Sequence, residues 1–81
     1  MSREPEIDLE AAEPVYRQVV AKVAWRIRAG AYAVRLPSER ALAEELGVAY
    51  GTVRHAMEVL EADGIVRRVH GRGTFVVKPA D

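Results

Sequence analysis

The sequence predicts a mainly α-helical domain with a small β-hairpin at its C-terminal end. Apolar residues recur at helical spacing in three segments between residues 14 and 63, and a glycine follows each segment. After Gly64 the spacing changes to the alternation typical of strands. A chain of 81 residues is long enough for one compact core only. We therefore expect one domain over residues 14–78, with residues 79–81 as its C-terminal end.

Helix one is predicted over residues 14–29. Pro14 has the fixed φ suited to a first helical position, and Glu13 suits the positive end of a helix dipole. Gly30 provides a C-terminal stop. Trp25 lies off the apolar stripe, so we expect it to be covered by a neighbouring loop or, alternatively, to form a self-association surface. The stripe, about 140° wide, comprises Val15, Tyr16, Val19, Val20, Val23 and Ile27.

A short extended segment and helix two are predicted next. Tyr32, Val34 and Leu36 alternate before Pro37, which predicts an extended stretch able to pair with the later hairpin. Ser38 is a candidate N-cap, and Gly47 ends the helical pattern. Helix two is therefore predicted over residues 38–46, with an apolar stripe formed by Ala41, Leu42 and Leu46.

Helix three is predicted over residues 49–63, after a tight turn that begins at Gly47. Its buried stripe, within an arc of roughly 100°, comprises Val53, Ala56, Met57 and Leu60. Ala49 stands where Ser or Thr would cap the helix, so we expect this end to fray.

The outward face of helix three carries hydrogen-bond donors and an aromatic ring in its first turns. Tyr50 and Arg54 leave the stripe on one flank and Thr52 on the other, while Gly51 and His55 point nearly opposite it. Such a face is suited to DNA, although an ordinary solvated helix surface has the same pattern.

Residues 65–69 and 74–78 are predicted to be the two strands of a hairpin. The connection His70-Gly71-Arg72-Gly73 contains two glycines that permit turn geometry and two side chains that offer donors. A tip of this kind can lie along a phosphate backbone or enter a minor groove. The alternative is a hairpin whose polar tip is only solvated and binds no nucleic acid.

The composition is that of an ordinary globular domain, with 49% apolar and 30% charged residues. No apolar run approaches the ~20 residues that span a bilayer, and residues 1–13 lack the features of a secretory signal. Cysteine is absent, which excludes disulfides and thiolate metal sites. We therefore expect a cytoplasmic protein that does not associate with membranes.

The formal charge of zero hides an uneven distribution. Residues 1–13 contain one arginine and five carboxylates, for a charge of −4, while residues 14–81 contain eleven basic and seven acidic residues, for +4. The first segment shows neither helical nor strand periodicity, so we expect a flexible acidic tail. An alternative hypothesis is that this tail competes with DNA phosphates for the basic part of the chain.

Three motifs, LPSERALAEELGV, TVRHAMEVLEADGIV and RRVHGRGTFV, occur in order between residues 36 and 76, within a resemblance that covers roughly residues 14–77. Together they resemble the DNA-binding domain of the GntR family of bacterial transcription regulators. The resemblance implies a winged helix-turn-helix fold and sequence-specific binding of double-stranded DNA by a repressor at the bacterial nucleoid. It places the recognition helix, about residues 49–63, in the major groove and the wing tip, residues 70–73, at the minor groove.

The resemblance also implies individual DNA contacts. Arg40 of LPSER would contact DNA, Arg54 of TVR a phosphate or a base, and Thr52 the backbone. His70 and Gly71 would contact the minor groove. The full set of residues expected to bind DNA is Ser38, Arg40, Ala49, Tyr50, Gly51, Thr52, Arg54, His70, Gly71 and Arg72.

The chain departs from the family pattern in three places. Ala49-Tyr50-Gly51 replaces the usual Ser-Arg-Thr and so removes an arginine often used to read guanine, a contact worth about 1 to 3 kcal/mol of discrimination. We expect Tyr50 to read a thymine methyl or to contact a phosphate. Residues 30–37 lack the family's Pro-Gly turn and form a shorter loop. Family members usually continue into an effector-binding domain, whereas this chain contains none, so we expect a stand-alone regulator or part of a longer one.

The expected partner is double-stranded DNA, in particular a palindromic operator bound by a homodimer that is either preformed or assembled on the DNA. The competing hypothesis is a winged-helix protein-interaction module that does not bind nucleic acid, for which Trp25 is the strongest apolar candidate. We expect no enzyme activity, catalytic residue, metal or cofactor. His55 and His70 lack metal-site spacing, and Gly71-Arg72-Gly73 lacks the context of a phosphate loop.

Overall fold

The computed structural model describes residues 2–77, which form three helices and one antiparallel hairpin. The helices are α1 (Val15–Arg28), α2 (Glu39–Leu46) and α3 (Tyr50–Ala62), and the strands are β1 (Val66–Val69) and β2 (Gly73–Val76). This order confirms the predicted fold class. The helices and β1 lie within a residue of their predicted bounds, whereas β2 begins at Gly73, one residue before its predicted start. The final residues of the prediction, 78–81, lie outside the described part of the chain.

The helix ends follow the capping residues, with one correction. Pro14 is the N-cap of α1 and has an extended ψ of 140°, whereas we expected it at the first helical position. Ser38 caps α2 as predicted, because its Oγ accepts a hydrogen bond from the Ala41 N–H at 3.1 Å. Gly47 ends α2 with a left-handed φ of 69°, and Ala49 begins α3 without any side-chain cap.

The core lies where α1 and α2 pack against α3 and where β1 follows it. All four residues predicted for the buried stripe of α3 are buried. Val66 on β1, the strand that follows α3, is buried as well. The side chains with almost no exposed surface are Val19, Val23, Leu42, Val53, Met57, Leu60 and Val66. This cluster holds α3 in place while its opposite face remains free.

The apolar stripes of α1 and α2 were predicted less well. In α2, Ala41 is exposed and Ala43 is buried instead, because this short helix turns its Leu42 side toward α3. In α1, Ala24 and the polar Gln18 are buried, although neither belongs to the predicted stripe. The other members of the α1 stripe beyond Val19 and Val23 are only partly buried: Val15, Tyr16, Val20 and Ile27.

The extended segment before α2 pairs with the hairpin, as predicted. Arg35 forms an antiparallel bridge with Phe75 on β2. On either side of that bridge, the Leu36 N–H donates to the Thr74 carbonyl at 2.9 Å and the Val76 N–H donates to the Val34 carbonyl at 2.8 Å. These bonds fix the start of α2 to the base of the hairpin.

The acidic segment, residues 2–13, packs along α1, whereas we expected a flexible tail. The Glu4 carboxylate lies 2.6 Å from Lys22 Nζ and 2.8 Å from Arg26 Nε, both on α1. The Lys22 ammonium also donates to the Pro5 carbonyl at 3.0 Å. The segment is therefore held by opposite charges on the neighbouring helix, a cause that its own sequence pattern does not contain.

Buried and aromatic side chains of α1 hold the same segment. The Gln18 side-chain amide donates to the carbonyls of Asp8 and Glu13, and its Oε1 accepts from the Asp8 N–H at 2.6 Å. The Trp25 Nε1–H donates to the carbonyl and hydroxyl oxygens of Ser2. Trp25 is half-buried by this cover, as the first of our two alternatives predicted. Over residues 2–77, no helix has the length and apolar character needed to cross a bilayer.

Candidate nucleic-acid interface

A groove of about 790 Å³ lies between the N-terminal ends of α2 and α3 and the hairpin, which we call the wing. The side chains that line it come from all three motifs of the sequence. Seven of the ten residues predicted to bind DNA line this groove: Ser38, Arg40, Tyr50, Arg54, His70, Gly71 and Arg72. Residues far apart in the chain are thus brought to a single surface.

The other three predicted residues, Ala49, Gly51 and Thr52, lie at the start of α3 but do not line the groove. Ala49 and Gly51 are exposed and Thr52 is half-buried. A Cβ built on Gly51 would meet no atom within 4 Å. The chain therefore leaves open space around the first turn of the recognition helix.

The α2 side of the groove presents one hydroxyl and one guanidinium. The Ser38 Oγ accepts the capping bond from Ala41, which leaves its O–H free to donate to another acceptor. The guanidinium of Arg40 lies over the ring of Tyr50, with 4.6 Å between Cζ and the ring centroid. Tyr50 therefore orients Arg40 at the edge of the groove.

The N-terminal end of α3 is suited to negative charge. Its first turn contains no acidic residue, and the N-cap residue Ala49 makes no side-chain hydrogen bond. Since the first N–H groups of a helix have no intrahelical partner, these donors and the helix dipole are available to an anion such as a phosphate. Arg54, one turn after Tyr50, adds an exposed positive charge on the same side.

The wing tip consists of three residues rather than the predicted four. Gly73 is the first residue of β2 and pairs with Val69, so the loop comprises His70, Gly71 and Arg72. The Arg72 N–H donates to the Val69 carbonyl at 2.9 Å and closes the turn. His70 and Arg72 are exposed and offer their donors at the wing end of the groove.

Arg68 also lines the groove, and our prediction gave it no partner in the fold. Its Nε lies 3.1 Å from Glu61 Oε1 and its Nη1 lies 3.6 Å from Glu39 Oε2, while its backbone N–H donates to Glu61 at 3.0 Å. Burial by itself lowers the pKa of Arg68, but the bond with Glu61 and the nearby carboxylates raise it overall. The backbone and side-chain bonds from Arg68 lower the pKa of Glu61. Arg68 therefore ties the wing to α2 and α3.

Arg35 is a second groove residue that sequence reasoning missed. It immediately precedes the LPSER motif, and the available signal was its place between the alternating Val34 and Leu36, which predicts an outward side chain. In the structure Leu36 is buried and Arg35 is exposed, but Val34 is exposed as well, so the alternation holds only at Arg35 and Leu36.

The groove is positively charged because its arginines outnumber its carboxylates. It is lined by five arginines and two glutamates, and both glutamates contact Arg68. Within residues 2–77, no carboxylate lies within 4.0 Å of the other four guanidiniums. Those four residues are Arg35, Arg40, Arg54 and Arg72.

His55 lies on the exposed side of α3 as predicted, but its ring is already engaged. It stacks on the ring of Tyr16 from α1, with 4.0 Å between centroids and 21° between planes. Arg17 approaches the same Tyr16 ring, with its Cζ 5.7 Å from the centroid. The stack joins α1 to the middle of α3. The part of the chain that the structure describes contains no cluster of three or more potential metal ligands.

A helix, a short turn, a second helix that presents one free face and a following hairpin define a winged helix-turn-helix, a class of DNA-binding domain. The chain belongs to the GntR family of bacterial regulatory proteins, because the family model described as "Bacterial regulatory proteins, gntR family" matches residues 15–76. Membership of this family favours a DNA-binding regulator over the protein-interaction module. The family is one of transcription regulators and not an enzyme family.

Curated relatives are transcription regulators. The chain is 39% identical over 75 residues to the HTH-type transcriptional repressor NagR of Bacillus subtilis, a match that covers 90% of this chain and 31% of NagR. It is 36% identical over 72 residues to the histidine utilization repressor of Pseudomonas aeruginosa, which covers 86% of this chain and 29% of that protein. The chain thus spans about a third of the length of these two relatives.

Solved structures share the fold. YtrA from Sulfolobus acidocaldarius, a GntR-family transcription factor, superposes with a TM-score of 0.81 at 32% identity, over 96% of this chain and 84% of that one. AraR(DBD), solved in complex with operator ORE1, gives a TM-score of 0.76 at 30% identity, over 91% of this chain and 93% of that one. The second structure is a related domain bound to its operator.

Proposed function

We propose that this chain binds double-stranded operator DNA by sequence and represses transcription by occluding a promoter at the bacterial nucleoid. The observation that carries this proposal is the convergence on one groove of four guanidiniums that have no carboxylate partner among residues 2–77. A groove with uncompensated positive charge fits a polyanion. NagR is a transcriptional repressor and AraR(DBD) was solved in complex with an operator, which supports an operator as that polyanion.

Each side of the groove has a different role in the proposed complex. The exposed start of α3 enters the major groove, where Tyr50 contacts a base edge or methyl group and Arg54 contacts a base or a phosphate. Ser38 and Arg40 hold the phosphate backbone from the α2 side. The wing tip, with His70 and Arg72, lies at the minor groove. Ala49, Gly51 and Thr52 face DNA from the first turn of α3.

We further propose that two copies bind a palindromic operator, each on one half-site about one helical turn from the other. A two-fold arrangement is the usual way in which one small domain obtains a long recognition site. One domain that neutralises about five phosphates has a log-log salt slope near −4.5, and two domains have about twice that slope. The slope therefore measures how many copies bind.

The test is a fluorescence-anisotropy titration with a labelled duplex selected by the protein from a random pool. Arg54→Ala lowers affinity about tenfold or more in this proposal, because one charged contact to DNA is lost. Arg28→Ala is the matched control, since Arg28 is an exposed arginine in the last turn of α1 and does not line the groove. Equal affinities for the two variants would overturn the assignment of this groove.

A further inference from the structure

We infer that Arg35 is a DNA phosphate-binding residue and that Gly73 of the wing provides the space that positions it. This inference rests on the proposed function and deepens it, because neither residue belongs to the set expected to contact DNA. The ligand group is a phosphodiester of the duplex beside the wing. The role is to hold the wing on the DNA backbone, and it carries no base specificity.

The backbone around Arg35 is held to β2 by two hydrogen bonds, which together form one bridge. Arg35 forms the bridge to Phe75, and the hydrogen bonds from Leu36 to Thr74 and from Val76 to Val34 flank it. The residue therefore forms an isolated bridge at the edge of the two-stranded wing. Its side chain starts from a fixed point, which reduces the conformational entropy lost on binding.

The guanidinium of Arg35 lies beside Gly73 and near an aromatic ring. A Cβ built on Gly73 would lie 2.9 Å from Arg35 Nε, 3.1 Å from Nη2 and 3.3 Å from Cζ, so the planar group lies directly against the glycine backbone. The Arg35 Cζ is also 5.8 Å from the centroid of the Phe75 ring. A Cβ at residue 73 would therefore require the guanidinium to shift, and Gly73 also has a φ of 118° that favours glycine.

The charge of Arg35 is available to a ligand. No carboxylate of residues 2–77 lies within 4.0 Å of it, and it lines the same groove as Arg40, Arg54 and Arg72. Arg68, in the same groove, is by contrast occupied by Glu61 and Glu39. A planar guanidinium that is charged and exposed is suited to bidentate binding of a phosphate.

The test compares four single variants and one double variant by anisotropy titration over a range of salt concentrations. Arg35→Ala lowers affinity about tenfold for all duplex sequences and makes the salt slope shallower by about one unit. Arg35→Lys keeps the slope but loses part of the affinity, because it keeps the charge without the fork. Arg67→Ala is the control. Arg67 lies on β1, is paired with Phe75 of β2 and is exposed, but it does not line the groove. It leaves affinity within about twofold.

Gly73→Ala tests the positioning role, since it changes no charge but displaces the guanidinium. It lowers affinity several-fold in the native background and has no further effect in the Arg35→Ala background. A loss of the same size in both backgrounds would mean that the substitution only distorts the wing. Equal binding by Arg35→Ala and Arg67→Ala would overturn the phosphate contact. Failure of the unmodified chain to bind any duplex would instead overturn the proposed function itself.

Discussion

The guanidinium of Arg40 lies over the ring of Tyr50, 4.6 Å from its centroid. The pair connects the first turn of α2 to the first residue of α3, across the turn that Gly47 begins. A cation over a ring is attracted to the electrons of the ring face, so the position of Arg40 depends on the ring of Tyr50 and not on its hydroxyl. The two residues should therefore act together in DNA binding.

Substitutions of Tyr50 separate its ring from its hydroxyl. Tyr50→Ala should weaken binding about fivefold, because Arg40 loses an orienting contact worth about 1 kcal/mol. Tyr50→Phe should bind as tightly as the native chain, because the ring that orients Arg40 is kept. Anisotropy titrations against the selected duplex and its single-base variants measure both effects. Unchanged affinity and unchanged sequence preference in Tyr50→Ala would contradict the role of this residue.

Gly51→Ala should change stability and DNA binding in opposite directions. A helix with glycine at an interior position is less stable than one with alanine by roughly 0.5 to 1 kcal/mol. The added Cβ meets no atom of the chain within 4 Å. The melting temperature should therefore rise by a few degrees. Affinity should fall, because the methyl group enters the space that we assign to DNA, and overpacking there costs about 1 kcal/mol or more. An unchanged affinity would mean that DNA does not approach Gly51 closely.

Arg68 and Arg54 both line the groove, but substitution of Arg68 should change the stability of the fold, whereas substitution of Arg54 should change DNA binding. Arg68→Ala should lower the melting temperature by a few degrees, since it removes the partner of Glu61 and Glu39. Arg54→Ala should leave the melting temperature unchanged and make the salt slope of DNA binding shallower by about one unit. Thermal denaturation and salt-dependent titrations of both variants test this. A shallower salt slope for Arg68→Ala at unchanged stability would contradict its structural role.

Stability should fall as the pH drops below about 4.5, the ordinary pKa of a glutamate. Hydrogen bonds from Lys22 and then Arg26 lower the pKa of Glu4, and those from the backbone and side chain of Arg68 lower the pKa of Glu61. A carboxylate whose pKa is lower in the folded state stabilises the fold above its unfolded pKa, and this contribution is lost as the pH falls through the folded value. Urea midpoints between pH 6 and pH 3 measure the loss, which Glu61→Gln should reduce. Equal pH dependence in that variant would contradict the assignment for Glu61.

Deletion of residues 2–12 should destabilise the domain. The deletion removes the ion pairs of Glu4 with Lys22 and Arg26 and the hydrogen bond from Trp25 to Ser2. Burial tends to lower the pKa of Arg26, but its bonds with Tyr32, Glu45 and Glu4 raise it. Because the deletion removes only Glu4 of these three partners, the guanidinium keeps its bonds with Tyr32 and Glu45. We expect a lower melting temperature, red-shifted tryptophan fluorescence and unchanged DNA affinity. Tighter binding at low salt would contradict this expectation and support competition with phosphates.

The sequence predicted those parts of the fold that depend on local pattern. In α3, four apolar residues at helical spacing marked the buried stripe correctly, and Gly47 and Ser38 marked the ends of α2. In α2 the pattern contained only two leucines among alanines, too little contrast to choose between Ala41 and Ala43. The same limit applies to Gln18, whose burial depends on backbone partners in the acidic segment that no periodicity indicates.

The candidate site was predicted where a motif marked it and missed where distant residues create it. Arg40, Tyr50 and Arg54 stand in or beside recognisable motifs, and the structure places them in one groove. Arg35 gains its position from Gly73 and Phe75, which are far along the chain and meet it only through strand pairing. The same sequence pattern could not show that Arg68 is neutralised, because that depends on how β1 lies against Glu39 and Glu61.

The measurement that tests the central claim most directly is selection of duplexes from a randomised pool by the purified chain at low and at moderate salt, followed by sequencing. We expect enrichment of one motif with two-fold symmetry, bound with a steep salt dependence. Absence of binding even at low salt would contradict DNA binding by this domain. Binding without enrichment of any motif would contradict sequence-specific recognition by α3 and the wing.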